Sequence, residues 1–70
     1  MKIAVIGAGS WGTALSQVLA GNGHNVGLWA RKTEVARSIN KERRNPRYLS
    51  DVELHEGIVA TPSYKDALLR

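Results

Sequence analysis

No cysteine occurs among these 70 residues, so neither a disulfide nor a thiolate metal site can form. Nothing of that kind compensates for the small core expected at this length. Long apolar runs are missing as well. Ile3-Ala4-Val5-Ile6 gives way to glycine after four residues, far short of a signal peptide or a membrane span. A cytoplasmic location is the expectation that follows. Aromatic residues are few and scattered: Trp11, Trp29, Tyr48 and Tyr64 outline no stacking surface. That argues against a nucleic-acid partner, although the net charge is +4 and Lys41, Arg43, Arg44 and Arg47 cluster. A solvated helix face and a site for a phosphorylated ligand account better for those cations. With 43% hydrophobic and 23% charged residues the chain has an ordinary globular composition. Its length allows one domain at most, about half of a typical one.

What the sequence does contain begins at its seventh residue. Gly7-Ala8-Gly9-Ser10-Trp11-Gly12 follows a buried-strand pattern and opens a helical one. A glycine triplet so spaced suits a dinucleotide. Gly7 allows the sharp turn, Gly9 lets a pyrophosphate approach the backbone, and Gly12 lets helix and strand pack closely. The free N–H groups at the helix start then face the pyrophosphate.

The rest of the chain reads as strand and helix in alternation. The first strand covers about Lys2 to Ile6 and is apolar on both faces, as in a central parallel strand. In the first helix, Trp11, Ala14, Leu15, Val18 and Leu19 recur at the spacing of one buried face. Gly21 and Gly23 supply its stop. Val26 to Trp29 forms a second strand, with Gly27 marking close packing or a weak strand. Thr33 caps a second helix that turns Val35, Ala36 and Ile39 inward and ends at Asn45-Pro46. Arg47 to Glu56 reads as a loop and Gly57 to Thr61 as a third strand. Ser63 to Asp66 resembles a capping box, with Tyr64, Ala67 and Leu68 as the inner stripe of a third helix. The fold class expected is α/β: the N-terminal half of a Rossmann-type doubly wound parallel sheet, βαβαβα with strand order 3-2-1. The second half, which would pair with the far edge of the first strand, does not follow within these residues. An incomplete sheet of this kind is expected to be marginally folded or to self-associate through the first strand.

The ligand can be read further. NAD-binding versions of this fold place a carboxylate about 20 residues past the glycines, on the ribose 2′-hydroxyl. Here that place holds Arg31 and Lys32. A guanidinium and an ammonium suit a 2′-phosphate, so NADPH is favoured and NADH stays open. Ser10 and the N–H groups of Ser10 and Trp11 can reach the pyrophosphate, while the Trp11 ring packs either on the cofactor or in the core. His24 lies in the turn entering the second strand, at the wrong end of the sheet for catalysis. His55, without a paired histidine, is no metal site.

Ile6-Gly7-Ala8-Gly9-Ser10-Trp11-Gly12-Thr13-Ala14-Leu15, Asn22-Gly23-His24-Asn25-Val26, Leu28-Trp29-Ala30-Arg31, Ile39-Asn40, Asn45-Pro46-Arg47-Tyr48-Leu49 and Ile58-Val59-Ala60-Thr61 extend over nearly the whole chain. Together they resemble the N-terminus of bacterial NAD(P)-dependent glycerol-3-phosphate dehydrogenases. The departures are Gly27, where a β-branched residue is more usual, and Ser50-Asp51 in place of a Pro-Gly-like turn. Carried over by position, the resemblance implies that Ser10, Trp11, Arg31 and Lys32 touch the cofactor, with Tyr48 at a further approach. It implies an enzyme interconverting dihydroxyacetone phosphate and sn-glycerol 3-phosphate with NADPH or NADH, for glycerophospholipid synthesis. The family's catalytic lysines and substrate-phosphate ligands fall beyond position 70, so no catalytic residue is assigned. Residues 1–70 are then expected to be part of the cofactor domain, without its remainder or the helical domain that follows. Other Rossmann dehydrogenases and a free-standing nucleotide-binding module stay open as alternatives.

Overall fold

The computed structural model describes residues 1–69. Strands β1 (Lys2–Ile6), β2 (Asn25–Trp29) and β3 (Ile58–Thr61) alternate with helices α1 (Ser10–Gly21), α2 (Thr33–Glu42) and α3 (Tyr64–Leu69). All pairing is parallel and the order is β1-β2-β3, the expected arrangement read from its other edge. Two strands of the same direction need a crossover, and each crossover here carries a helix.

Register decides what each face does. Val5 lies opposite Leu28, and Leu28 opposite Ala60; Ile3 aligns with Val26, and Val26 with Ile58. These alternate residues share one face. They form the core with Ala20 of α1 and with Val35, Ala36 and Ile39 of α2. The other face, carrying Trp29, meets α3. There the Trp29 and Tyr64 rings meet edge to face at 5.5 Å, and Trp29 Nε1 donates to the Pro62 carbonyl at 3.0 Å.

The helix ends are built as the residues dictate. Gly23, at φ +92°, closes α1: its N–H bonds the Ala20 carbonyl and that of His24 bonds Leu19. At the start of α2 the cap position is Lys32, not Thr33, and no side chain caps it. That helix also stops at Glu42, before Asn45-Pro46. Arg43 adopts the left-handed conformation there, and its guanidinium donates to the carbonyls of His55 and Ile58. For α3, Ser63 Oγ accepts from the Asp66 N–H at 3.2 Å, which supplies the serine half of the expected capping box.

Two inward stripes differ from expectation. On α1 the buried residues are Thr13, Ser16 and Ala20, whereas Trp11, Leu15 and Val18 stand outside at 88%, 47% and 59% exposure. The reason is steric. A Cβ built on Gly12 would overlap the Gly7 carbonyl oxygen, so α1 runs hard against the strand-to-helix loop, and the face turned inward must be small. The large residues of α1 instead flank an apolar groove of about 650 Å³ along the outer edge of β1, lined by Ile3, Val5, Ile6, Trp11, Leu15 and Leu19 among others. On α3 only Ala67 of the expected stripe is buried; Tyr64 and Leu68 are exposed.

The two sheet edges are unequal. Asn40, from α2, covers the outer edge of β3: its Nδ2 donates to the Ala60 carbonyl and its Oδ1 accepts from the Ala60 N–H, both at 2.8 Å. The outer edge of β1 has no strand partner among the described residues.

Candidate functional site

β1 ends at Ile6, and the chain must turn at once to start α1. Gly7 makes that turn at φ +113°, a conformation L side chains rarely adopt. Its N–H stays tied to the sheet through the Trp29 carbonyl at 3.2 Å. Gly9 is different. It caps α1 in an ordinary extended conformation, φ −79° and ψ −170°, and a Cβ built there meets nothing within 4 Å. Neither strain nor packing inside the chain requires glycine at this position. The space it leaves open faces outward.

The start of α1 has the character of an anion site. No side chain caps it, and no acidic residue lies in its first turn. The first backbone N–H groups of a helix lack intrahelical acceptors and carry the positive end of its dipole. Ser10 and Trp11, both exposed, stand at this end.

A second cleft, of about 320 Å³, opens on the other side of Gly9. Its walls are Ala8 and Gly9 from the glycine loop, Ala30, Arg31 and Lys32 after β2, Val35 of α2, and Arg47 and Tyr48. Gly9 thus lines both this basic cleft and the apolar groove beside β1. Of the residues singled out in the sequence, Gly9, Arg31, Lys32 and Tyr48 come together in the basic cleft. Gly7, Ser10, Trp11 and Gly12 line the groove on its far side. Trp11 lies outside the core formed by the described residues, at 88% exposure. The basic cleft opens at the carboxyl ends of the strands, where ligands of open α/β sheets bind; the groove reaches that end at Gly7 to Gly12 and otherwise runs along β1.

Arg47 also lines this cleft, with Asn45 supporting it, although the sequence offers Arg47 only as one of a basic cluster and Asn45 only as a helix stop. Arg47 adds a third cation to the cleft and lies 3.7 Å from Glu34. Asn45 is wholly buried, and its Oδ1 accepts the N–H groups of Arg47 and Tyr48. An asparagine before proline predicts a helix stop. Its tendency to bond the backbone two residues ahead was the signal available.

The histidines stand apart from both clefts. His24 precedes β2, at the amino end of the sheet, with a buried Nδ1 that has no hydrogen-bond partner. His55 Nδ1 accepts the Gly57 N–H at 3.0 Å. No group of metal-ligating side chains occurs among the described residues. None of the helices among them is long and apolar enough to cross a membrane.

A family model described as the NAD-dependent glycerol-3-phosphate dehydrogenase N-terminus matches residues 2–70. The chain belongs to that family. A glycerol-3-phosphate dehydrogenase [NAD(P)+] of Halalkalibacterium halodurans is 56% identical over 67 residues, 96% of this chain and 19% of that enzyme. Another, from Nitratidesulfovibrio vulgaris, is 52% identical over 68 residues, 97% of this chain and 21% of that one. The crystal structure of glycerol-3-phosphate dehydrogenase from Coxiella burnetii superposes with a TM-score of 0.88 at 40% identity, over 97% of this chain and 21% of its own. A Plasmodium falciparum glycerol-3-phosphate dehydrogenase structure gives 0.83 at 32%, over 96% and 21%. The chain therefore spans about a fifth of the length of the relatives it matches.

Proposed function

We propose that the chain binds a nicotinamide dinucleotide, NADPH in preference to NADH, across Gly9. The observation that carries this reading is the shared position of Gly9 between a basic cleft and an apolar one. The pyrophosphate lies against the open space at Gly9 and the uncapped start of α1, within reach of the Ser10 hydroxyl. Arg31 and Lys32 take the 2′-phosphate of the adenosine half, with Tyr48 on the opposite wall. Trp11 borders the nicotinamide half. When bound, the nicotinamide supplies or accepts the hydride; the residues of this chain orient the dinucleotide and screen its charge. Calorimetric titration of the chain with NADPH tests the reading, and no heat of binding would overturn it.

In the full-length enzyme, residues 1–70 form the first part of the cofactor domain, ahead of its remaining strands and a helical substrate domain. That enzyme interconverts dihydroxyacetone phosphate and sn-glycerol 3-phosphate in the cytoplasm, for glycerophospholipid synthesis. The groove beside β1 offers no titratable side chain to protonate a ketone oxygen and no cation to hold a substrate phosphate. The 70-residue chain is therefore expected to bind NADPH without reducing dihydroxyacetone phosphate. Turnover above a no-protein control, abolished by a substitution in this chain, would show that the catalytic group lies within it.

The chain on its own binds no nucleic acid but pairs with a second copy through β1. Asn40 occupies the β3 edge, whereas the open β1 edge is apolar apart from Lys2 and borders the groove lined by the exposed Trp11 and Leu15. An unpaired strand edge of this kind is a template for association. Sedimentation velocity is expected to show concentration-dependent dimers, and Ala4→Lys, which puts a charge on that edge, is expected to return them to monomer. A chain that stays monomeric at every concentration would refute the pairing.

A further inference from the structure

One buried side chain ties the two walls of the basic cleft together. Asn45 Nδ2 donates to the Ala8 carbonyl and to Thr13 Oγ1, both at 2.9 Å. Its Oδ1 accepts from the Arg47 N–H at 3.0 Å and the Tyr48 N–H at 3.2 Å. Two donors and two lone pairs are all that an amide side chain has, and each is used. Ala8 and Thr13 lie on either side of Gly9, on the pyrophosphate wall. Arg47 and Tyr48 are the facing wall.

Little else could set the distance between them. The only other polar link from residues 46–49 to α2 or the glycine loop among the described residues is the Arg47–Glu34 pair. Both of its partners are more than half exposed, and an exposed pair of that kind contributes little. The Asn45 amide, by contrast, is shielded from water at 0% exposure. A buried network with every member satisfied holds one geometry, because each alternative leaves a buried polar group without a partner.

We infer that Asn45 is a positioning residue for the adenosine half of the cofactor: it holds Arg47 and Tyr48 at a fixed span from Gly9. The inference rests on the dinucleotide reading and extends it. Arg47 then faces the 2′-phosphorylated ribose as a third cation, and its reach depends on a side chain that never touches the ligand. A span that drifts by an ångström costs a charge-assisted contact most of its strength.

A mutant cycle read by calorimetry tests this, with 2′-phospho-ADP-ribose and inorganic pyrophosphate as probes. Asn45→Ala is expected to weaken 2′-phospho-ADP-ribose by about tenfold, the low end for loss of one charge-assisted bond, and to leave pyrophosphate within about twofold, because the Gly9 wall keeps its own backbone anchors, the Gly7 N–H on the Trp29 carbonyl and the Thr13 N–H on the Gly9 carbonyl. In an Arg47→Ala/Tyr48→Ala background the same substitution should change 2′-phospho-ADP-ribose binding by less than about twofold, because the residues it acts through are gone. Thr13→Val removes one of the four bonds at nearly constant volume. It should give a smaller loss, of about threefold for one neutral hydrogen bond, that also vanishes in the double-substituted background, and it decides the matter if Asn45→Ala does not fold. Equal losses in both backgrounds, or equal weakening of both probes, would overturn the positioning role while leaving the dinucleotide reading intact. Failure of the unsubstituted chain to bind either probe would overturn both.

Discussion

Gly12→Ala is expected to lower the melting temperature of this chain sharply and to weaken dinucleotide binding with it. The added Cβ would overlap the Gly7 carbonyl oxygen and lie 3.0 Å from the Gly7 carbonyl carbon, with Val5 Cγ1 at 3.5 Å. Two of these neighbours are backbone atoms of the turn itself, so no side chain can rotate away, and α1 must lift from the loop. Overpacking of this kind costs about 3 kcal/mol when the surroundings cannot relax. Alanine's better helix propensity returns about 1 kcal/mol. The net loss of about 2 kcal/mol corresponds to about 8–16 °C in a domain of this size. Gly9→Ala is the contrasting case. Its backbone is ordinary and the site of the new methyl is empty, so stability should hold or rise slightly while NADPH binding is lost. Thermal melts and titrations of both variants separate the two roles. An unchanged melt for Gly12→Ala would disprove the close approach, and unchanged NADPH affinity for Gly9→Ala would remove the pyrophosphate from that surface.

Arg31→Ala should weaken NADPH far more than NADH. Arg31 follows β2 directly and lines the cleft beside Lys32, where NAD-binding relatives of this fold carry a carboxylate. A planar guanidinium gives a phosphate paired hydrogen bonds, which a ribose hydroxyl cannot match. Losing one charge-assisted bond costs about 1.5–3 kcal/mol, or about 10- to 150-fold in affinity. That loss should fall on NADPH and leave NADH nearly unchanged. It should also shrink as salt rises, because both charges lie at an exposed surface. Titration of the variant with each cofactor provides the check, and equal weakening of the two would sink the 2′-phosphate assignment.

The order of strands and helices, the glycine turn and the cation pair after β2 were all legible before any coordinates. Each rests on local chemistry: an apolar run, a residue free to take positive φ, a charge where the topology expects a ligand. The inner face of α1 was not legible. A 3.6-residue period identifies a stripe of large apolar residues, but not whether that stripe or the small-residue stripe faces the sheet. Here the contact of Gly12 with Gly7 decided it, and that contact exists only once the chain has folded back. For a different reason, the placement of Arg47 and Asn45 at the cleft was not legible either. The segment holding them has no period to read, and its position comes from four hydrogen bonds whose partners are up to 37 residues away. Residues near in space but far along the chain leave the weakest trace in a single sequence.

The two indoles report on different parts of the molecule. Trp11 stands in water at the mouth of the groove, whereas Trp29 is half-buried, bonded to the Pro62 carbonyl and stacked edge-on against Tyr64. Their emission should therefore separate by wavelength and by access to a dissolved quencher. The red, readily quenched component follows events beside the start of α1. The blue component follows the docking of α3 on the sheet. Ligand arrival and loss of tertiary packing can thus be watched in one cuvette, with no dye attached.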